Sequence, residues 1–175
     1  KRSPQTTVEG YDLSTKAIRF AQAFGEGIPN ISFYDIDFKE AAGNYEIILA
    51  IEVFEHIPSA QLPTFIKTIH GKLTDRGRLI ITVPTTVLPL NPKHYRHYTL
   101  ELLQQQLQGL FKVKHSQYIY KKSYLLRQIN KFLINGFFII TFPPIRRMAY
   151  WLLRKYYLLA DAGKGTHLFV EAEKL

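Results

Sequence analysis

An α/β fold built on a doubly wound, mostly parallel sheet is what this sequence predicts, and three observations predict it. Short apolar runs alternate with helical patterns from Thr7 to Phe111. Three of those runs end in an acid, at Asp12, Asp35 and Glu52. The stretch Tyr45–Pro58 opens with an unbroken apolar run, Ile47 to Ile51, which suits a strand buried on both faces, and then turns polar.

Taken in order, Thr7–Tyr11 alternates like a short strand, and Ala17, Ile18, Ala21 and Phe24 recur at helical spacing over Thr15–Phe24. Asp12 therefore sits at the carboxyl end of a strand, where its carboxylate can accept both hydroxyls of a ribose or, with Ser14, cap the helix. Gly25–Pro29 is turn-like, and Ile31–Tyr34 is a strand leading to Asp35-Ile36-Asp37. After Tyr45–Ile51, the residues Glu52, Glu55 and His56 have the spacing i, i+3, i+4, which on a helix sets all three on one face at the ligand-binding end of the sheet. Leu62, Phe65, Ile66, Ile69 and Leu73 mark the apolar face of a helix that stops before Asp75-Arg76-Gly77. Arg78–Val83 is a further buried strand, ended by Pro84. A loop carrying His94, Arg96, His97 and Tyr98 leads to Thr99, which can cap a helix bearing Leu100, Leu103 and Leu107. Phe111–Tyr120 and Thr166–Ala172 complete the strands.

At 175 residues and 46% hydrophobic, the chain 1–175 is one domain with a core of its own. The absence of cysteine excludes disulfides and thiolate metal sites, and no stretch near Lys1 has the form of a secretory signal, so a cytoplasmic protein is expected. Residues 112–164 hold eleven Lys/Arg against the single acid Asp161, so this segment carries +10 of a chain whose net charge is +9, and the rest carries −1. Such a zone suits an anionic partner or a solvated face.

That segment contains a basic, aromatic helical insertion, 121–163, ahead of the last strand. Its apolar stretch Phe132–Phe142 is too short for the ~20 residues a bilayer requires. A helix-like pattern over Arg146–Ala160 follows Pro143-Pro144. Together they suit a lid, an interfacial membrane helix pair with Phe137, Phe138, Ile139, Trp151 and Leu152 in the headgroup boundary, or a homodimer surface. Ala162–Thr166 has the glycines of a phosphate loop but precedes a strand rather than following one, and reads as a turn.

Acids after successive strands, joined to Glu-Val-Phe-Glu-His-Ile-Pro, resemble the class I S-adenosylmethionine-dependent methyltransferases, with their Rossmann-like fold. The resemblance covers Thr7 to about Phe111 and resumes at Thr166–Lys174. Gly10-Tyr-Asp-Leu-Ser14 matches the family's second-strand wording and implies Asp12, with Leu13, for the ribose of the cofactor. Asp35 and Ile36 are implied beside adenine, and Ile51 and Glu52 near the cofactor at the end of the fourth strand. The wording E-x-x-E-H-I is matched at Glu52, Glu55, His56 and Ile57, and Arg78–Pro84 resembles the fifth strand. The family's glycine-rich first-strand loop has no counterpart in the sequence, so the domain is expected to be N-terminally incomplete, with a gap between the second and fourth strands of the family order.

The resemblance implies transfer of a sulfonium methyl to a small-molecule, sugar or lipid-linked acceptor, with O-methylation expected. A base is needed if the acceptor keeps its proton. His56, His94 and His97 are candidate bases, and Glu55, His56 and His97 form the expected catalytic set. Glu52, Glu55, His56 and His97 also resemble the metal-bound turns of small-RNA 2′-O-methyltransferases; no metal is assigned here, and a chelator is expected to have little effect. Because the aromatics lie in apolar runs, the insertion suits a lipid-linked acceptor at the inner face of a bacterial membrane better than nucleic acid. The alternative from another class is a non-catalytic module that binds a partner through 121–163.

Overall fold

The computed structural model describes residues 5–133 and 142–175. The chain divides into two compact units, Lys1–Gly43 and Asn44–Leu175.

In the first unit, β1 (Val8–Tyr11) and β2 (Ile31–Tyr34) pair in parallel, with Val8 opposite Ile31 and Tyr11 opposite Tyr34. Between them runs α1 (Thr15–Gly25). Ser14 starts α1 by accepting the Ala17 N–H at 3.3 Å. The strand and helix close over Phe33: a Cβ on Gly10 would lie 2.7 Å from its ring, and one on Gly25 would lie 2.8 Å away. The glycine of the G-x-D wording is thus a packing glycine.

The second unit holds a five-stranded sheet in the order β3-β4-β7-β5-β6. Its elements are β3 (Tyr45–Ile51), α2 (Leu62–Lys72), β4 (Leu73–Pro84), α3 (Leu100–Leu107), β5 (Phe111–Lys121), α4 (Tyr124–Leu133), α5 (Pro143–Tyr156), β6 (Leu159–Ala160) and β7 (Gly165–Lys174). The register lines up one apolar layer across three strands: Ile48 beside Leu79 beside Ala172, then Ala50 beside Ile81 beside Val170, then Val83 beside Leu168. All are buried, as are Leu62, Ile66 and Ile69 of α2 and Leu103 and Leu107 of α3. Each large aliphatic side chain so buried contributes about 1.5–3 kcal/mol. Thr99 caps α3 by accepting the Leu102 N–H at 3.3 Å.

The α/β class stands, four expectations are corrected, and a fifth falls outside the described residues. The sheet is not mostly parallel: β1–β2 and β3–β4 are parallel, whereas β4–β7, β5–β7 and β5–β6 are antiparallel. An apolar run carries no sign of direction, and β7 inserts between β4 and β5 against both. β3 is not buried on both faces. Ile48 and Ala50 face the core, but Ile47, Leu49 and Ile51 are exposed, Leu49 by 62%. Among the described residues of this unit β3 is an edge strand, paired with β4 alone. β4 begins at Leu73 rather than Arg78, because Leu73 already pairs with Tyr45. The helix over Arg146–Ala160 is instead α5, ending at Tyr156, and Leu159–Ala160 pair with β5. The Phe132–Phe142 run, including Phe137, Phe138 and Ile139, lies for residues 134–141 outside the described residues.

Ala162–Thr166 is a turn into β7, closed by the Lys164 and Gly165 N–H groups on the Asp161 carbonyl at 3.0 Å. Gly165 is there because a Cβ would sit 2.6 Å from Tyr118 Cβ. Among the described residues no helix is long and apolar enough to cross a membrane.

Candidate active site

In the first unit, the parallel register carries both strand-end acids to one edge, since Tyr11 lies opposite Tyr34 and the Asp12 N–H donates to the Tyr34 carbonyl at 3.2 Å. Asp12 Oδ1 accepts the Ser14 N–H at 2.7 Å, so the acid shapes its own turn. It is exposed, and among the described residues its other oxygen has no partner. Leu13 beside it is 77% exposed, an apolar surface next to a free acceptor. Asp35 is exposed and Ile36 half-buried. The structure thus brings Asp12, Leu13, Asp35 and Ile36 together.

In the second unit the expected single helical face does not form. Glu52 takes a left-handed backbone, φ 54°, which costs a residue with a Cβ about 1 kcal/mol and turns the chain sharply at the end of β3. Helix is delayed to a single tight turn, Phe54–His56. Glu52 therefore points apart from Glu55 and His56. Its Oε1 accepts the Thr82 hydroxyl at 3.1 Å, and its Oε2 lies 3.4 Å from His167 Nε2. Burial works against its charge, but the His167 bond and ion pair, with Thr82 behind them, outweigh burial and hold the carboxyl below its ordinary range. Ile51 is half exposed beside it.

Glu55 and His56 belong with the loop after β4. The Tyr95 N–H donates to the Glu55 carbonyl at 2.8 Å. Arg96 donates through Nη1 to the Phe54 carbonyl at 2.8 Å and through Nη2 to Ser59 Oγ at 2.9 Å. The Tyr98 hydroxyl reaches the same Phe54 carbonyl at 3.3 Å from a fully buried position. This clamp puts His56 Nδ1 3.1 Å from the Lys93 carbonyl and the His94 ring edge-on to the His56 ring at 4.7 Å. His94 Nδ1 lies 2.9 Å from His97 Nε2, and His97 Nδ1 lies 3.2 Å from the Leu88 carbonyl. Glu55 is 0% exposed, and among the described residues neither carboxylate oxygen has a hydrogen-bond partner. His56 Nε2 lies 3.8 Å from Glu55 Oε1. Burial pushes the Glu55 carboxyl up. Burial first, then the neighbouring His56 and His97, holds the His94 imidazole below its ordinary range.

The expected set of Glu55, His56 and His97 is therefore assembled, with His94 standing between His56 and His97. Sequence reasoning missed Arg96, Tyr98, Thr82 and His167, which orient the acids. Thr82 alone had a signal, because parallel pairing sets it opposite Ile51.

A family described as "Methyltransferase domain" matches residues 2–140. The chain belongs to that family. It is of the class I S-adenosylmethionine-dependent type that the strand-end motifs resemble. A search of curated proteins finds no match. Among solved structures, the N-methyltransferase NodS from Bradyrhizobium japonicum WM9 is similar at TM-score 0.61 and 11% identity, over 96% of this chain and 73% of that one. Its complex with S-adenosyl-L-homocysteine gives TM-score 0.62 at 13% identity, over 96% of this chain and 66% of that one. A methyltransferase from Archaeoglobus fulgidus gives 0.58 at 16% identity, over 95% and 75%. These likenesses establish the fold, and the second shows that the chain spans just under two-thirds of that relative's length.

Proposed function

We propose that this methyltransferase domain transfers the methyl group of S-adenosylmethionine to an oxygen of a sugar, lipid-linked or other small acceptor. The observation that carries the reading is the pair of strand-end acids at Asp12 and Asp35, with exposed Leu13 beside them. Their chemistry fits a nucleoside. The free Asp12 oxygen accepts ribose hydroxyls in charge-assisted bonds, Asp35 accepts from an exocyclic amine, and Leu13 and Ile36 offer apolar surface to a ring. The bound cofactor supplies an electrophilic sulfonium methyl.

At the acceptor, a C–O bond forms as the methyl leaves sulfur, and the hydroxyl proton needs a base. His56 suits that role. The Lys93 carbonyl can only accept, so His56 Nδ1 carries the proton and Nε2 keeps its lone pair, on a ring still half exposed. Glu55 beside it stabilises the imidazolium that results, and His97 orients His94 at the rear. Release of S-adenosylhomocysteine on addition of candidate acceptors tests the reading. We expect His56→Ala to lower kcat by roughly 10²–10⁴-fold. Undiminished turnover in that variant overturns the assignment of the base.

A membrane-surface acceptor is favoured by α5. It exposes Arg146, Arg147, Arg154 and Lys155 together with Met148, Tyr150 and Trp151, while Leu152 is half-buried. Lys155 Nζ sits 4.9 Å from the Trp151 ring centroid, so cation and aromatic share one patch. Each such cation near anionic lipid contributes about 1 kcal/mol. The protein would then work at the inner face of the membrane. Sedimentation should show salt-sensitive binding to anionic vesicles; no preference over neutral vesicles at low salt, with a stable dimer in solution, favours a subunit contact instead.

A further inference from the structure

The cluster around Glu55 contains acceptors without donors. A buried carboxylate that lacks any hydrogen-bond partner is costly, by about 1–3 kcal/mol or more for a charged group, unless something positive reaches it. The side chains that face it bring lone pairs rather than protons. A carbonyl cannot donate, so Leu88 O requires the proton of His97 on Nδ1 and leaves His97 Nε2 as an acceptor. The 2.9 Å contact to that atom then requires the proton of His94 on Nδ1, which leaves His94 Nε2 with a lone pair. By the same reasoning Lys93 O leaves His56 Nε2 with one. One donor atom each from Glu55, His56 and His94 lies within 4.8 Å of the other two.

We propose that Glu55, His56 and His94 bind one divalent transition-metal ion of the zinc type. Two imidazole nitrogens and one carboxylate oxygen form a mixed set that such ions favour and that magnesium and calcium, with their preference for oxygen, do not. Tetrahedral ligands at about 2.1 Å from an ion stand about 3.4 Å apart, so the three close by about an ångström, and the half-exposed His56 ring is free to move. The outer contacts are those of an oriented site: Lys93 O fixes the His56 tautomer, and His97, held by Leu88 O, fixes that of His94. His97 is thereby a positioning residue rather than a ligand, and Glu52, held by Thr82 and His167, stands outside the set. A fourth coordination position stays open. An ion on His56 Nε2 would occupy the lone pair that the methyl-transfer reading gives to the base, so the two roles of His56 exclude each other in one molecule. In the metal-bound protein the acceptor hydroxyl would take the open position and be acidified there instead. Binding of the ion itself does not depend on that reading.

The test is calorimetric titration of Zn²⁺ alone into the metal-stripped, tag-free protein, with Mg²⁺ in a parallel run. One Zn²⁺ per chain at micromolar affinity or tighter, and no saturable Mg²⁺ binding, is the expected result. His56→Ala, on an exposed ring where the fold tolerates it, and Glu55→Gln should each weaken Zn²⁺ at least about tenfold. His97→Ala should weaken it by about 10–100-fold, with partial rescue in His97→Gln, whose amide oxygen can still accept from His94 Nδ1. His70→Ala, at a ring packed on Phe111, should change nothing. Absence of a one-to-one site, or unchanged affinity in His56→Ala, overturns the proposal. Titrating S-adenosylmethionine into the same samples separates the two readings, because loss of Zn²⁺ binding with cofactor binding intact removes the metal and leaves the methyltransferase reading standing.

Discussion

Replacing Arg96 by alanine removes the clamp that ties the Phe54–His56 turn to the loop after β4. The guanidinium spends its fork on the Phe54 carbonyl at 2.8 Å and Ser59 Oγ at 2.9 Å. Hydrogen bonds to a charged group contribute about 1.5–3 kcal/mol each. The Phe54 carbonyl keeps the Tyr98 hydroxyl at 3.3 Å, and the Ser59 hydroxyl is exposed and can turn to water, so neither partner is orphaned. The net loss should therefore be near the lower end, about 2 kcal/mol, which for a chain of this size lowers Tm by about 4–8 °C. Arg96→Lys should recover less than half, because an ammonium cannot bridge two acceptors set for a planar fork. Denaturant unfolding of the three proteins measures this. An Arg96→Ala cost below about 0.5 kcal/mol, or full recovery by lysine, refutes the clamp.

Three further outcomes follow from particular contacts. Gly165→Ala should destabilise by about 1–3 kcal/mol, since its Cβ would meet Tyr118 Cβ at 2.6 Å inside a five-stranded sheet; thermal unfolding reads it. Gly10→Ala should lower Tm through the Phe33 ring, 2.7 Å from the new methyl, and Gly10→Ala with Phe33→Leu should regain part of the loss. The folded-state pKa of Glu52 is depressed, so its contribution to stability is present above the ordinary carboxylate pKa and fades as pH falls through the folded value; Glu52→Gln should flatten that acid limb in pH-dependent unfolding.

Much of the fold was legible because its strands are short apolar runs bounded by turn residues. Val8–Tyr11, Ile31–Tyr34 and Tyr45–Ile51 fall where the pattern sets them. Direction was not legible: β7 alternates like any strand, and only the register with β4 and β5 makes it antiparallel. The site was half legible. Glu55, His56, His94 and His97 are all visible as residue types, but the expected common face with Glu52 assumed helix from Ile51 onward. The left-handed backbone of Glu52, which no propensity favours for glutamate, breaks that face and sends Glu52 to Thr82 and His167. Arg96 and Tyr98 were invisible because their targets are backbone carbonyls, which no side-chain pattern records.

Cofactor recognition by the strand-end acids is the central claim, and calorimetric titration of S-adenosylmethionine into the full-length protein and its Asp12→Ala variant tests it most directly. Binding of one cofactor per chain is expected, weakened in the variant by about 1.5–3 kcal/mol, or roughly 10–150-fold, for each ribose bond lost. The Ser14 cap on Ala17 N–H should keep α1 in place, so the variant should unfold with little change. Equal affinity in the two proteins, or no binding to either, would contradict the account.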